Sequence, residues 1–262
     1  MQSTQQTITL DDGATTTLER WGSSGPVMLC VHGMTSSRKA WMRTAQYFGD
    51  RYQVVAYDQR GHGDSAAITG SMSLARGIRD LHNVAEVTGA DVVIGHSWGG
   101  AVAIRGGELI ATTAIVAIDP MLVQAGDDWY AEYIEELDDT FALRGDARDA
   151  RVREDFGDWP AGDVTGKVHA MHAMTSAPIA GLRDENRSEW DLRADVAIYN
   201  KPLLLVMAGR EGSIVPAEII DEITAHHAPA VHIVTFEDQG HNLYRTAFDR
   251  FAAVVDDFIT GR

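Results

Sequence analysis

Short, continuous apolar runs recur along the chain and are separated by stretches with helical periodicity. The runs occupy residues 27–31, 53–57, 91–94, 114–118, 203–207 and 231–236. Continuous apolar runs of this length are typical of strands buried on both faces, as in a parallel sheet covered by helices. Between them, apolar residues repeat at spacings of three and four, for example Leu74, Ile78, Leu81 and Ala85, which predicts helices. The alternation predicts an α/β fold with a doubly wound, mostly parallel sheet.

Two segments depart from this alternation. Near the start, β-prone residues 7–10 and 15–18 flank the turn signal Asp11-Asp12-Gly13, which predicts a β-hairpin. Residues 121–198 lack a good strand pattern and are rich in Asp, Glu, Arg and Ala. We interpret this segment as a helical cap inserted over the carboxyl edge of the sheet, the alternative being long connecting helices packed elsewhere. The core would then comprise residues 1–120 and 199–262.

The composition excludes several classes of function. The 262 residues include 22 basic and 38 acidic ones, for a formal net charge of −16, whereas nucleic-acid binding requires clustered positive charge. The sequence has no apolar run of about 18 residues, the length that a membrane span needs. The single cysteine, Cys30, excludes an internal disulfide and suits a reducing compartment. With no signal peptide visible, we expect a cytoplasmic protein without nucleic-acid or membrane partners.

The pentapeptide Gly95-His96-Ser97-Trp98-Gly99 carries the strongest functional signal. It lies between an apolar strand and the helix-compatible stretch 101–110, the context that a G-x-S-x-G nucleophile elbow requires. Glycines two positions away on each side permit a tight, strained turn that exposes the Ser97 hydroxyl. The Trp98 amide would then lie at a helix N-terminus, where developing negative charge is stabilised. The alternative is an ordinary glycine-rich turn.

Four landmarks in this order resemble those of the α/β-hydrolase family. Besides the elbow, residues 32–34 (His-Gly-Met) are similar to the family's oxyanion loop, and residues 58–65 to its Gly-rich loop. Gly240-His241 follows the last strand, where the family keeps its base. The resemblance covers nearly the whole chain outside the cap. It implies an α/β-hydrolase fold, His241 as the general base for Ser97, and an oxyanion hole formed by the amides of Met34 and Trp98.

Two candidates are open for the acid that orients this histidine. Many family members carry an Asp three residues after the glycine that follows the strand here at 203–207, but this chain has Gly212 there. Asp119 ends the strand 114–118, where some branches of the family place their acid. Glu211 is one residue short of the usual position, and its longer side chain could compensate. We favour Asp119, because a one-residue shift at a strand exit turns a side chain away.

Other histidines and other cofactor motifs fit less well. His62 precedes Ser97, contrary to the order Ser–acid–His in this kind of enzyme. The sequence contains no H-E-x-x-H or C-x-x-C motif, and no phosphate-binding glycine loop follows a strand. We therefore expect neither a metal nor another cofactor.

These residues together predict acyl transfer to Ser97 followed by hydrolysis. The expected substrate is a small carboxylic ester, with a lactone as the next choice. A serine at the elbow disfavours dehalogenation and epoxide opening, for which similar proteins use an Asp nucleophile. Trp129, Tyr130, Met171 and Met174 are candidates for the pocket walls, with burial in the cap core as the alternative. Two other functions stay open, a cofactor-free oxygenase of the same fold and a non-catalytic hydrolase-like binding protein.

Overall fold

An eight-stranded sheet forms the centre of the part of the chain that the computed structural model describes, residues 2–65, 70–186 and 190–261. Its strands are β1 (Ser3–Thr9), β2 (Thr15–Trp21), β3 (Val27–Val31), β4 (Gln53–Tyr57), β5 (Ala90–His96), β6 (Ala114–Ile118), β7 (Leu203–Ala208) and β8 (Val231–Phe236). The order across the sheet is β1-β2-β4-β3-β5-β6-β7-β8. The first two pairs are antiparallel and the other five are parallel. The predicted hairpin and the mostly parallel sheet are confirmed.

Helices cover both faces of the sheet. In chain order they are α1 (Met42–Phe48), α2 (Leu74–Thr88), α3 (Trp98–Gly107), α4 (Asp127–Ala142), α5 (Gly145–Asp155), α6 (Ala161–His172), α7 (Ala177–Glu185), α8 (Arg193–Ile198), α9 (Ala217–Ala225), α10 (Leu243–Thr246) and α11 (Phe248–Thr260). Successive residues of β3 alternate between the two apolar layers, because side chains along a strand point to opposite faces. Met28 and Cys30 pack with α1 and α11, whereas Leu29 and Val31 pack with α2 and α3. The sheet is therefore doubly wound, as predicted.

The helices α4 to α8 form an insertion between β6 and β7. Apolar residues of this insertion, among them Phe141, Val152 and Val168, are buried in the same layer as α2 and α3. Helix α6 contacts the segment after β3, where a Cβ at Gly166 would lie 3.0 Å from the carbonyl oxygen of Lys39. Because that segment leaves the carboxyl end of a parallel strand, the insertion covers this edge of the sheet. The predicted helical insertion is confirmed.

The single cysteine and the helices relate to two predictions made from the composition. The Cys30 side chain is free and fully buried in β3, and burial raises the pKa of its thiol above the ordinary value because the thiolate is poorly solvated there. Of the helices in the described ranges, none combines the length and the apolar character needed to cross a bilayer.

The first residues of α3 pass so close to β3 that only glycine fits at position 99. A Cβ on Gly99 would lie 2.3 Å from the carbonyl oxygen of Val31 and 2.4 Å from that of His32. Neither backbone atom can rotate away as the end of a side chain can. We expect Gly99→Ala to lower the free energy of unfolding by about 1–3 kcal/mol, measured by urea denaturation.

Gly162→Ala is the matched control, because the same change there meets open space. No described atom lies within 4 Å of the Cβ that would be added at this position of α6. Alanine is favoured over glycine in a helix by about 1 kcal/mol, so this variant should be as stable as the wild type or slightly more stable. Equal destabilisation of both variants would contradict the packing argument.

Candidate active site

Ser97 lies at the carboxyl end of β5, where the chain turns directly into α3. Its φ of 56° and ψ of −120° fall in a region that residues with a Cβ rarely occupy. Hydrogen bonds hold the turn in place, from Ser97 N to the Ile118 carbonyl at 2.9 Å and from Met121 N to the Ser97 carbonyl at 3.1 Å. The strained serine therefore stands between a strand and a helix, as a nucleophile elbow requires.

Glycines around Ser97 permit this close packing. A Cβ at Gly95 would lie 2.2 Å from the carbonyl oxygen of Gly99, and one at Gly33 would lie 2.9 Å from the Cβ of Ser97. The loop after β3 thus packs directly against the turn. Met34, the next residue of that loop, lines the same cavity as Ser97.

Asp119 follows β6 and is fully buried. Its Oδ2 lies 2.7 Å from His241 Nδ1 and accepts a hydrogen bond from Ile214 N at 3.2 Å. Its Oδ1 accepts from the Ser213 hydroxyl at 2.6 Å and from Ala208 N at 3.1 Å. Four hydrogen-bond donors therefore hold this one carboxylate in a fixed orientation. The geometry therefore brings a carboxylate and an imidazole together at the carboxyl edge of the sheet.

His241 is held from both its ring and its backbone. Its amide donates to the Gly212 carbonyl at 2.8 Å, and His96 Nε2 donates to the His241 carbonyl at 3.0 Å. The two imidazole rings lie 4.5 Å apart. Burial and the nearby imidazole lower the pKa of His96 well below its ordinary value, so His96 is neutral. His96 thus braces His241 without competing with it for the proton.

Glu211, the other acid candidate, does not reach this imidazole. Its side chain is exposed and lies in a separate surface depression formed by residues 209–212 and 237–240. Position 212 has no room for a side chain. A Cβ on Gly212 would lie 2.7 Å from the Cα of Gly240, so a side chain here would displace the loop that carries His241.

A cavity of about 440 Å³ connects these residues with the insertion. Ser97 and His241 line it from the sheet, and Met34 lines it from the loop after β3. Trp129 of α4 and Met171 of α6 form part of the opposite wall. The cavity has the size of a small-molecule site.

Two of the four predicted wall residues lie elsewhere. Tyr130 and Met174 have no exposed surface and belong to the apolar core, the placement that the alternative interpretation of these residues predicts. Trp129 and Tyr130 are neighbours on one helix and point about 100° apart, so only one of them faces the cavity. The Trp98 ring is also outside the cavity and packs against Trp190 at 4.7 Å, which leaves its backbone amide as the group near Ser97.

Arg245 and Lys167 also line the cavity, although no motif or spacing in the sequence identifies them as site residues. Arg245 is in α10, four residues after His241, and is 3% exposed. Lys167 is in α6 and is 7% exposed, and burial together with the charge of Arg245 lowers its pKa to about 7. His241 lies before α10, so helical spacing in the sequence does not relate Arg245 to it.

His32 and His62 are buried and hold loops rather than facing the cavity. His32 Nε2 accepts from Gln59 N at 3.0 Å, and His62 Nδ1 lies 2.7 Å from the Arg60 carbonyl. Burial lowers the pKa of His32 to about 4 and that of His62 to about 3. Both are neutral at pH 7, and His62 contacts its own loop instead of Ser97.

One group of potential metal ligands occurs among the described residues, formed by Asp58, Asp64 and His169. Arg38 already occupies it. Its guanidinium forms ion pairs with Asp58 and with Asp64, the latter at 2.7 Å. Since a cation would have to displace this buried arginine, the group is better described as an ion-pair network.

The comparisons with known proteins agree with this geometry. The sequence profile of the family described as "Alpha/beta hydrolase family" matches residues 28–254. N-formylmaleamate deformylase of Pseudomonas putida is 25% identical over 255 residues, which cover 92% of this chain and 91% of the relative. An esterase of Mycobacterium tuberculosis is 27% identical over 249 residues, covering 86% and 79%. The structure of E-2-(acetamidomethylene)succinate hydrolase superposes with a TM-score of 0.84 at 20% identity, covering 99% and 100%, a likeness of fold.

The buried histidines predict that acid destabilises the protein. In the unfolded chain their pKa is roughly 6.5, above the values of about 4 and about 3 for folded His32 and His62. Between these limits the unfolded state binds more protons, so stability falls as the pH falls below 6.5. We expect the free energy of unfolding to drop by about 1 kcal/mol for each histidine between pH 7 and pH 5.5, measured by urea denaturation.

His226→Gln provides the control, because His226 is exposed. His62→Gln should reduce the pH dependence by about one third, because His32 and His96 are also buried with lowered pKa values, whereas His226→Gln should leave it unchanged. A free energy of unfolding that is the same at both pH values would show that these histidines are charged when folded.

Proposed function

The chain belongs to the α/β-hydrolase family, and we propose that it cleaves a carboxylic ester through an acyl-enzyme on Ser97. The observation that carries the proposal is the 2.7 Å contact between His241 Nδ1 and Asp119 Oδ2, beside a cavity that Ser97 and His241 both line. With Nδ1 donating to Asp119, the other ring nitrogen is free to exchange a proton with Ser97. The proposal therefore takes Asp119 as the acid of the triad.

In the first half of the reaction, the Ser97 hydroxyl attacks the ester carbonyl. His241 takes the hydroxyl proton and passes it to the departing alkoxide as the carbon–oxygen bond breaks. In the second half, His241 takes a proton from water, which attacks the acyl-enzyme. As the acyl–oxygen bond breaks, His241 returns the proton to the Ser97 oxygen, and the carboxylic acid leaves. Asp119 keeps the imidazole in one tautomer and stabilises its protonated form.

The negative oxygen of each tetrahedral intermediate needs hydrogen-bond donors near Ser97. In this proposal the backbone amides of Met34 and Trp98 supply them. The close packing of Gly33 on Ser97 and the start of α3 at Trp98 support this assignment. In enzymes of this kind, removing one such donor raises the activation free energy by about 3 kcal/mol.

A second candidate function is hydrolysis of an N-acyl amide. It is favoured by the relative named N-formylmaleamate deformylase, to which this chain aligns over 92% of its length, whereas the mycobacterial esterase favours the ester. The same residues would serve both reactions, with His241 giving its proton to an amine instead of an alcohol. Comparing kcat/KM for 4-nitrophenyl esters, lactones and N-formyl amides assigns the preferred bond.

Substitutions of the two acid candidates should affect kcat very differently. Asp119→Asn should lower kcat for ester hydrolysis by about 10⁴-fold, because an amide no longer holds the productive tautomer of His241. Glu211→Gln should leave kcat within about twofold, since surface changes away from the reacting groups have little effect. The measurement is steady-state hydrolysis of a 4-nitrophenyl ester by variants whose melting temperatures match the wild type. A larger loss in Glu211→Gln than in Asp119→Asn would overturn the acid assignment.

The nucleophile is tested by labelling. A fluorophosphonate probe should form a covalent adduct at Ser97 of the wild type, detected by mass spectrometry of the peptide, and should not label Ser97→Ala. Ester hydrolysis should fall by at least about 10³-fold in the same variant. Turnover that persists without Ser97 would favour a serine-independent oxygenase, and a wild type that binds ligands without turnover would favour a binding protein.

A further inference from the structure

Two buried cationic side chains face the cavity that Ser97 and His241 line. Arg245 approaches from α10 on the sheet side, and Lys167 approaches from α6 in the insertion. Burying a charge is costly unless it is paired and hydrogen-bonded. The partners of these two cations therefore decide what the cavity is suited to bind.

Arg245 is incompletely paired within the described residues. Its Nη2 donates to the Ser36 hydroxyl at 3.2 Å, but its Nε and Nη1 are buried and have no hydrogen-bond partner there. The nearest carboxylate oxygen, Asp163 Oδ1, lies 3.8 Å from Nη1, beyond hydrogen-bond distance. Asp163 also pairs with Arg43 at 3.4 Å, so one carboxylate is shared between two guanidinium groups.

The faces of the Arg245 guanidinium are covered by aromatic rings. Its central carbon lies 4.6 Å from the ring centre of Trp159 and 4.8 Å from that of Tyr244. Stacking of this kind stabilises the charge and leaves the N–H groups directed outward in the guanidinium plane. Arg245 is thus held in place beside the cavity with two buried nitrogen atoms whose N–H groups no described protein group accepts.

Lys167 lacks an acidic partner among the described residues. Its ammonium group donates to the carbonyl and to the hydroxyl of Thr35, both at 2.9 Å, and lies 4.8 Å from the ring centre of Phe156. An ammonium group has three N–H donors, so one is left after these two bonds. Lys167 thus brings a further N–H donor to the cavity, and its ammonium form predominates below its pKa of about 7.

The acidic residues of the cavity do not neutralise these cations. Asp155 is paired with Arg151 at 2.7 Å, and Glu136 is exposed. Arg245 and Arg43 share the single carboxylate of Asp163, so these three groups carry one net positive charge beside the cavity, although the chain as a whole has a formal net charge of −16.

We propose that Arg245 and Lys167 form a carboxylate-binding subsite, so that the substrate is an ester or amide carrying a second, ionised carboxylate. This inference rests on the proposed function, because it places the anion beside the acyl group attacked by Ser97. A carboxylate matches the donors available, since guanidinium N–H groups bind its two oxygens with defined geometry. The subsite would hold the substrate by its charged end and leave the scissile carbonyl at Ser97.

The test compares two substrates that differ by one charge. They are mono-4-nitrophenyl glutarate, which is anionic, and its methyl ester, which is neutral. The wild type should have a kcat/KM at least tenfold higher for the anionic substrate, mainly through a lower KM. A wild type that prefers the neutral ester overturns the proposal, even if no variant of Arg245 folds.

Variants then assign the preference to the two cations. Arg245→Gln should lower the anionic-to-neutral ratio of kcat/KM by about tenfold to a hundredfold, the effect of one charged hydrogen bond, and Lys167→Gln should lower it by a smaller factor. Arg245→Lys should recover part of the ratio. Arg51→Gln is the control, because it changes the net charge equally at an exposed residue that pairs with Asp256 on the surface. Unchanged ratios in Arg245→Gln and Lys167→Gln would overturn the assignment.

Ligand binding to a variant without the nucleophile tests the subsite independently of the proposed function. In Ser97→Ala, calorimetric titration with glutarate should give binding that is at least tenfold weaker when Arg245→Gln is added. Inorganic phosphate should bind more weakly than glutarate, and the reverse order would overturn the carboxylate assignment. Hydrolysis that persists in Ser97→Ala would remove the proposed function alone, whereas failure of Ser97→Ala to bind glutarate would remove the subsite alone.

Discussion

One buried carboxylate connects the segments that form the candidate site. Asp119 leaves β6 and receives hydrogen bonds from Ala208 at the end of β7, from Ser213 and Ile214 in the following loop, and from His241. Removing a charged carboxylate from water costs several kcal/mol, and four hydrogen bonds to its oxygens offset that cost. The carboxylate thus fixes the imidazole relative to the sheet, while the His241 loop alone would leave the ring free to turn. A substitution that removes both oxygens therefore also removes the hydrogen bonds to these segments.

Backbone strain is concentrated at the same edge of the sheet. Among the described residues other than glycine, positive φ occurs at Thr35, Ser97 and Asp119, with values of 53°, 56° and 35°. Each follows the carboxyl end of a parallel strand. Such conformations cost about 1–3 kcal/mol each and persist only where surrounding contacts impose them. Here Lys167 holds Thr35 through two hydrogen bonds, so the insertion also helps to hold the loop that carries Met34.

The sequence predicts the sheet and the turn at Ser97 because their signals are local. Continuous apolar runs identify buried strands, and two glycines at fixed spacing permit one kind of turn. The sequence does not decide between Asp119 and Glu211 as the acid, because the choice depends on how two distant loops pack. A Cβ on Gly212 would lie only 2.7 Å from the Cα of Gly240, and this close approach cannot be predicted from either loop separately. The lack of a strand pattern and the composition likewise predict helices in the insertion without fixing which residue of the pair Trp129 and Tyr130 faces the cavity.

Arg245 and Lys167 escape sequence analysis for a related reason, since a lone basic residue in a helix is usually exposed. Their burial is a consequence of tertiary packing, which brings α6 and α10 to the same cavity. The buried cations and the acidic surface residues affect a bound ligand over different distances. At physiological ionic strength, exposed charges are screened beyond about 8 Å, whereas buried charges are screened much less. For an anionic ligand inside the cavity, the short-range contacts with Arg245 and Lys167 therefore outweigh the repulsion expected from the net charge of −16.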